Sequence, residues 1–391
     1  MRVLLLFLAS FICLPTFAQA LFNSAEVKLV QQLLKKKNPA ITLVQTESRL
    51  LENAFLLDQA KQRIPKVLTK QSPVGFSSDY HARRYTLSLL TSQFTLPSIP
   101  ELDTNAWRSY SSKWLTTHLP SYPSNNTYTQ AQLKKLETIN LSHLVSGPLT
   151  LATLMAEQSM QNRYKLHQGD IALFKTLIGQ HRRFNLIIHK LTDKLTAQNL
   201  SSKKLKEIAK AELLRPVMLT YFGVAHSLHG ERSDYLEAIQ IRIEEQAIHR
   251  FYENNKHNFK YIQKVQASGA LFKDKVKAEQ FHKYASDHDF NQALLHFKQV
   301  DLFANEKGLV QRQKHNAWTQ QVVFSLPTNQ LSKPIRSPNG LWFVAQTTRR
   351  FYEYYDKDSE TVKYQARLAL TDAMAKAAYH ELKTNWLKSK I

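Results

Sequence analysis

Few residues of this chain have the types and spacing that covalent or metal chemistry needs. His226 and His229 stand three apart, so on a helix they would share a face as a pair of nitrogen ligands. Zinc needs three or four ligands at fixed geometry, and no acidic residue stands beside the pair at metal spacing. The only cysteine is Cys13, and neither His-Glu-x-x-His nor Gly-x-Ser-x-Gly occurs. Glu244 and Glu245 are adjacent, and helix neighbours do not face each other, so they make no acid/base couple. No metal and no cofactor are expected. One stretch is unusual in another way. In "KVQASGALF", Lys264 to Phe272, residues alternate across an extended chain, with Gly269 in the middle of the strand. Glycine weakens a strand, so its presence asks what occupies the space that a side chain would fill.

The start of the chain indicates where such a strand would work. Met1-Arg2, the apolar run Val3 to Leu14 and Ala18-Gln19-Ala20 follow the pattern of a secretory signal peptide cleaved after Ala20. The run is too short to span a bilayer. Cys13 would leave with the signal, so the mature chain is expected to hold itself together by its core, without disulfides. Nine glycines are few for 391 residues and argue against Gly-rich nucleotide loops. The formal net charge of +22 draws anionic partners. Nucleic acid is not expected among them, because the signal pattern implies export and no RNA- or DNA-binding motif occurs.

The elements that must position Gly269 fall into two textures. From Ser24 the sequence is helical. Leu29, Val30, Leu33 and Leu34 form one stripe, and Thr42 with Gln45 forms a capping-box pair ahead of Leu43, Leu50, Ala54 and Leu57. A helix is predicted over Tyr80 to Leu90. Ser92 to Thr129, with Pro97, Pro100, Pro120 and Pro123, is looser, and Trp107 and Trp114 pack it down. Helices resume at Gln130 and run on to a segment where Pro216 is expected to break or kink one. A single helix is predicted from Asp234 to about Asn254. After Phe259 the texture is α+β over about 90 residues, a normal domain size. Ser359 to Ser389 reads as one long helix with Val362, Ala366, Ala369, Ala373, Ala377 and Trp386 on its face.

The α+β segment resembles the parvulin-type (PpiC-like) peptidyl-prolyl isomerases. "FYENNKHNFKYIQKVQASGALF" is similar to the family's lead-in and first strand, and "DKVKAEQFHKYASDHDFNQAL" to its first helices. "VFSLPTNQLSKPIRSPNGLWFV" is the most specific piece. The wider layout resembles the SurA-like periplasmic chaperones. The resemblance implies an α+β chain whose mostly helical chaperone-like module is closed by a long C-terminal helix and carries a small parvulin-like α+β domain. The implied segments are a signal peptide at 1–20, a helical module at 21–257, a parvulin-like domain at 258–350 and, at 351–391, a C-terminal helix packing on the module.

Catalytic members carry a histidine directly after Ala-Ser, where this chain has Gly269, and a second one two residues after the last glycine, where it has Trp342. His315 stands at neither position. The resemblance offers Trp318, Phe324, Trp342 and Leu271 as the apolar wall of a peptide slot. Rotation about an X-Pro bond has a barrier of ~20 kcal/mol and needs no covalent chemistry, only a shaped slot. A small residue and a large one in place of the histidine couple imply a closed slot and weak or lost activity. The expected function is therefore a periplasmic folding factor that binds unfolded or proline-containing exported polypeptides, acidic ones in particular, or an anionic envelope surface. Two alternatives are an active isomerase with a non-standard site and a non-catalytic envelope assembly subunit.

Overall fold

The computed structural model describes residues 21–226, 233–312 and 317–390. The signal-peptide segment with Cys13, His229 and His315 lie outside the described residues. The chain divides into two compact units, Met1–Glu237 with Met374–Ile391, and Ala238–Ala373.

The first unit is helical: α1 (Ser24–Lys35), α2 (Leu43–Arg63), α3 (Ser78–Gln93), α4 (Ser112–His118), α5 (Gln130–Glu137), α6 (Ser142–Val145), α7 (Leu151–Glu157), α8 (Met160–His167), α9 (Ile171–Ala197) and α10 (Ser202–Tyr221), with the division into units falling inside α11 (Asp234–Ile241). Caps set most of the starts. Asn23 and Thr42 form capping boxes with Glu26 and Gln45, each closing donors that a helix start leaves unpaired. Leu29, Leu50, Leu89, Ile187 and Leu205 bury one core between α1, α2, α3, α9 and α10. A second core, with Leu144, Leu154 and Phe174, lies under Trp107 and Trp114. Helix α10 continues through Pro216, contrary to the expected break. Leu214 and Met218 on either side are fully packed, and Arg215 donates to Asn53 Oδ1 (2.9 Å) and to Glu52. Tertiary packing of this kind overrides a local breaker.

The predicted helix from Asp234 to Asn254 is two helices. Helix α11 ends at Ile241 and α12 (Glu245–Asn254) starts after an extended Glu244. Ile243, between them, is buried with Ile248 and Ala366. The second unit continues with β1 (Lys260–Phe272), α13 (Lys275–Asp287), α14 (Phe290–His296), β2 (Leu309–Gln311), α15 (Trp318–Ser325), β3 (Gln330–Leu331), β4 (Ile335–Arg336) and β5 (Trp342–Tyr354). Its strands pair antiparallel among the described residues, in the order β2-β1-β5-β3, with β4 also on β5, and a single parallel bridge joins Thr328 to Thr347. The last strand is longer than predicted. It runs beside β1 for its whole length, from Phe272 opposite Trp342 to Lys260 opposite Tyr354. The Pro-Asn-Gly turn before it closes through Gly340 at φ +82°, a backbone region that suits glycine.

Helix α16 (Glu360–Lys388) follows. Its first half packs in the second unit, Val362 with Tyr252 and Phe259, and Ala366 with Ile248. Its second half belongs to the first unit. Ala373 and Ala377 are exposed, and the buried positions are Thr371, Ala375 and Tyr379, with Trp386 half-buried. A polar network fixes this half. Glu52 accepts from the Tyr379 hydroxyl (2.8 Å), Lys383 Nζ (3.0 Å) and Arg215, and Trp386 Nε1 donates to Asp58 (2.9 Å). Burial pushes the Glu52 carboxyl up, but the Tyr379 hydroxyl, Lys383 and Arg215 together outweigh it and hold it at about 2.

A carboxyl held below its ordinary value stabilises the fold above that value and loses the contribution as pH falls toward its folded value. Acid should therefore weaken the first unit progressively between about pH 5 and pH 2, by about 2–3 kcal/mol once partial solvent screening is allowed for. Glu52→Gln should lower stability at neutral pH and remove most of this acid dependence, as read by urea unfolding at about pH 7 and about pH 3.

Candidate functional site

The two faces of the β1–β5 sheet carry different things. Ala270, Phe272, Trp342 and Val344 face α13 and α14, packing with Ala278, Phe281 and Phe290. Val265, Ala267, Leu271, Phe343 and Ala345 face the other way, against Phe303, Val310 and α15. Gly269 belongs to this second face by alternation, and its cross-strand partner is Ala345. A Cβ added at Gly269 would stand 2.7 and 2.9 Å from the Phe343 ring and 3.0 Å from the Phe303 ring. The glycine is there because two phenyl rings occupy the volume of its side chain.

The edge of β1 is closed at the same point. Gly269 N–H donates to Asp301 Oδ1 (2.9 Å), which also accepts from Phe303 N–H (3.0 Å), and Leu302 N–H donates to Gly269 O (2.8 Å). Helix α15 is held over the face at its far end. The Thr347 hydroxyl, fully buried, donates to Val323 O (2.6 Å), and the Arg350 guanidinium donates to Leu326 O. A cation on the last carbonyls of a helix suits its dipole. Trp318 packs edge-on to Phe343 at 5.8 Å between centroids.

Leu271, Trp318 and Phe324 thus come together, partly buried, on the face that Gly269 shares. Trp342 does not. It lies on the opposite face, paired with Phe272 and capped by Lys275 Nζ at 5.5 Å. The exchange expected to pair Gly269 with Trp342 is made instead between Gly269 and Phe343, one position along. Trp342 and Gly269 stand on paired strands but on opposite faces, since a shift of one residue moves a side chain to the other side of a sheet. Phe343, Phe303 and Asp301 were not singled out in the sequence. The alternation Phe343, Ala345, Thr347 carried the signal, but only the strand register says which set faces Gly269. What remains is a filled floor with an apolar lip, able to hold an apolar side chain. The Asp301 carboxylate and the Thr347 hydroxyl beside it are both engaged with backbone groups. No cluster of histidine, cysteine and acidic residues able to hold a metal occurs among the described residues.

The first unit has a crevice of about 910 Å³ with Leu68, Pro148, Leu149 and Phe184 among its walls and Lys203, Lys206 and Lys210 along it. At its floor Glu157 accepts from Arg83 Nη2 (2.6 Å) and pairs with His181 Nε2 (2.8 Å). Burial raises the Glu157 carboxyl, but hydrogen bonds from His181 and Arg83 outweigh it and keep it lowered. Burial, and then the nearby Arg83, push the Lys206 ammonium down.

Residues 243–364 match the PPIC-type PPIASE domain. No curated protein matches the chain. Among solved structures, the peptidylprolyl isomerase PrsA of Bacillus anthracis aligns at 18% identity over 51% of this chain and 81% of its own, with a TM-score of 0.22. A Campylobacter jejuni structure, from work describing PEB4 and the periplasmic protein Cj1289 as SurA-like chaperones, aligns at 15% identity over 69% of this chain and 96% of its own, with a TM-score of 0.23. PrsA of Bacillus subtilis aligns at 18% over 64% and 93%, with a TM-score of 0.19.

Gly269→Ala should force the Phe343 and Phe303 rings apart and lower the stability of the second unit by about 1–3 kcal/mol. Gly269→Ala combined with Phe343→Leu should recover much of that loss. Chemical denaturation, followed by tryptophan fluorescence, measures both.

Proposed function

We propose that this chain, which carries a PPIC-type PPIase domain over residues 243–364, is an extracytoplasmic folding factor that holds unfolded polypeptides and whose prolyl isomerase activity is weak or lost. The observation that carries this reading is the closure at Gly269, where the Phe343 and Phe303 rings fill the position that the family resemblance assigns to a histidine. An isomerase must hold proline in a slot and favour the twisted amide. Here that slot has lost its polar pair and its depth, while the lip of Leu271, Trp318 and Phe324 remains apolar and partly open.

The holding activity is assigned to the helical unit. Its crevice offers apolar walls for client side chains, and Lys203 and Lys206, beside the Lys210–Asp79 pair, attract acidic ones. The net charge of +22 steers acidic unfolded chains to the whole molecule. Location outside the cytoplasm rests on the signal-like residues Met1 to Ala20. No helix among the described residues is long and apolar enough to cross a membrane.

Two measurements test this reading. In a protease-coupled or NMR exchange assay with a proline tetrapeptide, the chain should leave the isomerisation rate within about twofold of the uncatalysed one, where each tenfold is ~1.4 kcal/mol of barrier. Turnover typical of active parvulins would favour the isomerase with a non-standard site. In parallel, the chain should suppress aggregation of several unrelated unfolded proteins, more for acidic clients and less at high salt. Tight binding to one folded protein without any such suppression would favour the assembly-subunit reading.

A further inference from the structure

A second cavity of the helical unit, about 630 Å³, lies between the extended segment Pro97–Leu102 and one face of α9. Lys175, Thr176, Gly179, Arg182 and Arg183 repeat at helical spacing and line that face. Three of them are cations, and Glu101 is the only acidic residue among the lining. Lys175 Nζ rests over the Trp107 ring at 5.4 Å. Arg182 Nη1 is buried with no hydrogen-bond partner among the described residues. A buried guanidinium N–H left unpaired is costly, and Arg183 beside it is exposed to the groove, so the pair presents positive charge to an incoming anion.

The opposite wall has its own vacancy of partners. Residues 95–102 are neither helix nor strand and make no backbone–backbone hydrogen bond among the described residues. Among the described residues, Lys190 Nζ, 3.4 Å from Ser98 O, makes the one bond to their carbonyls. Ile99, Leu102 and Trp107 make the groove apolar beside its cations. At Gly179 an added Cβ would meet nothing within 4 Å, so the helix side of the groove is open down to the backbone.

We infer that this groove is a binding site for an extended acidic polypeptide segment. Its backbone pairs with residues 98–102, its apolar side chains lie on Ile99, Leu102 and Trp107, and a carboxylate sits on Arg182 and Arg183. The free backbone groups of Ile99, Glu101 and Leu102, with Pro100 offering an acceptor only, select a polypeptide over a small anion or a lipid surface, because only a polypeptide returns donors and acceptors at backbone spacing. The inference rests on the proposed function, that the chain handles unfolded polypeptide, and gives that function a sequence preference.

The test uses the full chain and fluorescence anisotropy with a labelled unstructured peptide of alternating apolar and aspartate residues, and its asparagine counterpart. The aspartate peptide should bind about tenfold more tightly than the asparagine one. R182Q/R183Q should remove that difference. Gly179→Leu should weaken binding of the aspartate peptide by about tenfold while leaving the thermal transition unchanged or raised, since it fills open space and improves helix propensity. Equal binding of the aspartate peptide by all three proteins, or no discrimination between peptides by the unaltered chain, would overturn the inference. So would full displacement of the peptide by millimolar inorganic phosphate. Aggregation suppression, measured on the same proteins, separates the two ideas. If it persists while the groove variants change nothing, the groove fails and the folding-factor reading stands. If the unaltered chain neither suppresses aggregation nor binds the peptide, both fail.

Discussion

The second unit depends on a single steric fact, that the Phe343 and Phe303 rings stand where Gly269 has no side chain. The β1–β5 pairing brings Phe343 to that place, opposite Leu271 and next to Ala345, and the Asp301 carboxylate ties the free edge of β1 at the same residue. The ring contact and the edge bond support each other. A side chain at 269 would displace the ring that α15 rests on through Trp318, while loss of the edge bonds would leave buried backbone groups unpaired. Stability and the loss of a slot thus come from one arrangement. An interior packed to crystal density cannot keep both a phenyl ring and a pocket in the same volume.

A different kind of constraint holds the helical unit. Its two sequence parts are separated by the whole of the second unit, and they are joined by hydrophobic packing around Phe55, Phe222 and Tyr379 and by the polar network on Glu52. Ring centroids of Phe55 and Tyr379 stand 5.6 Å apart, edge to face. A half-buried carboxylate with a hydroxyl, an ammonium and a guanidinium on it is directional in a way that apolar contact is not, and it fixes which face of α16 turns inward. That face differs from the alanine stripe the sequence offers. Ala373 and Ala377 lie one turn apart on the same exposed face, and small residues carry little information about orientation.

Much of the architecture was legible in residues that act locally. The Thr42–Gln45 box, the Pro-Asn-Gly turn, the alternation around Gly269 and the long unbroken C-terminal helix each state a local preference that the fold respects. Features set by distant partners were not legible. Pro216 is absorbed because α10 is clamped to α2 by Arg215, and the break at Arg242–Glu244 exists because Ile243 is drawn into contact with Ala366. The site was half-legible for the same reason. Gly269 announced itself within one strand, and so did the apolar types of Leu271, Trp318 and Phe324, but the identity of the ring above it depended on the register of two strands some seventy residues apart. The groove cations Arg182 and Arg183 gave no signal at all, since a cation on a helix is ordinarily a solvated one.

Selective labelling of the phenylalanine rings and glycines, followed by nuclear Overhauser spectroscopy on the full chain, reads the central contact directly. The account predicts strong cross-peaks from the Gly269 α protons to the ring protons of Phe343, with a weaker set to Phe303. Cross-peaks from Gly269 to Trp342 in their place, or none to any ring, would mean that the space is not filled as described and that the case for a closed slot fails.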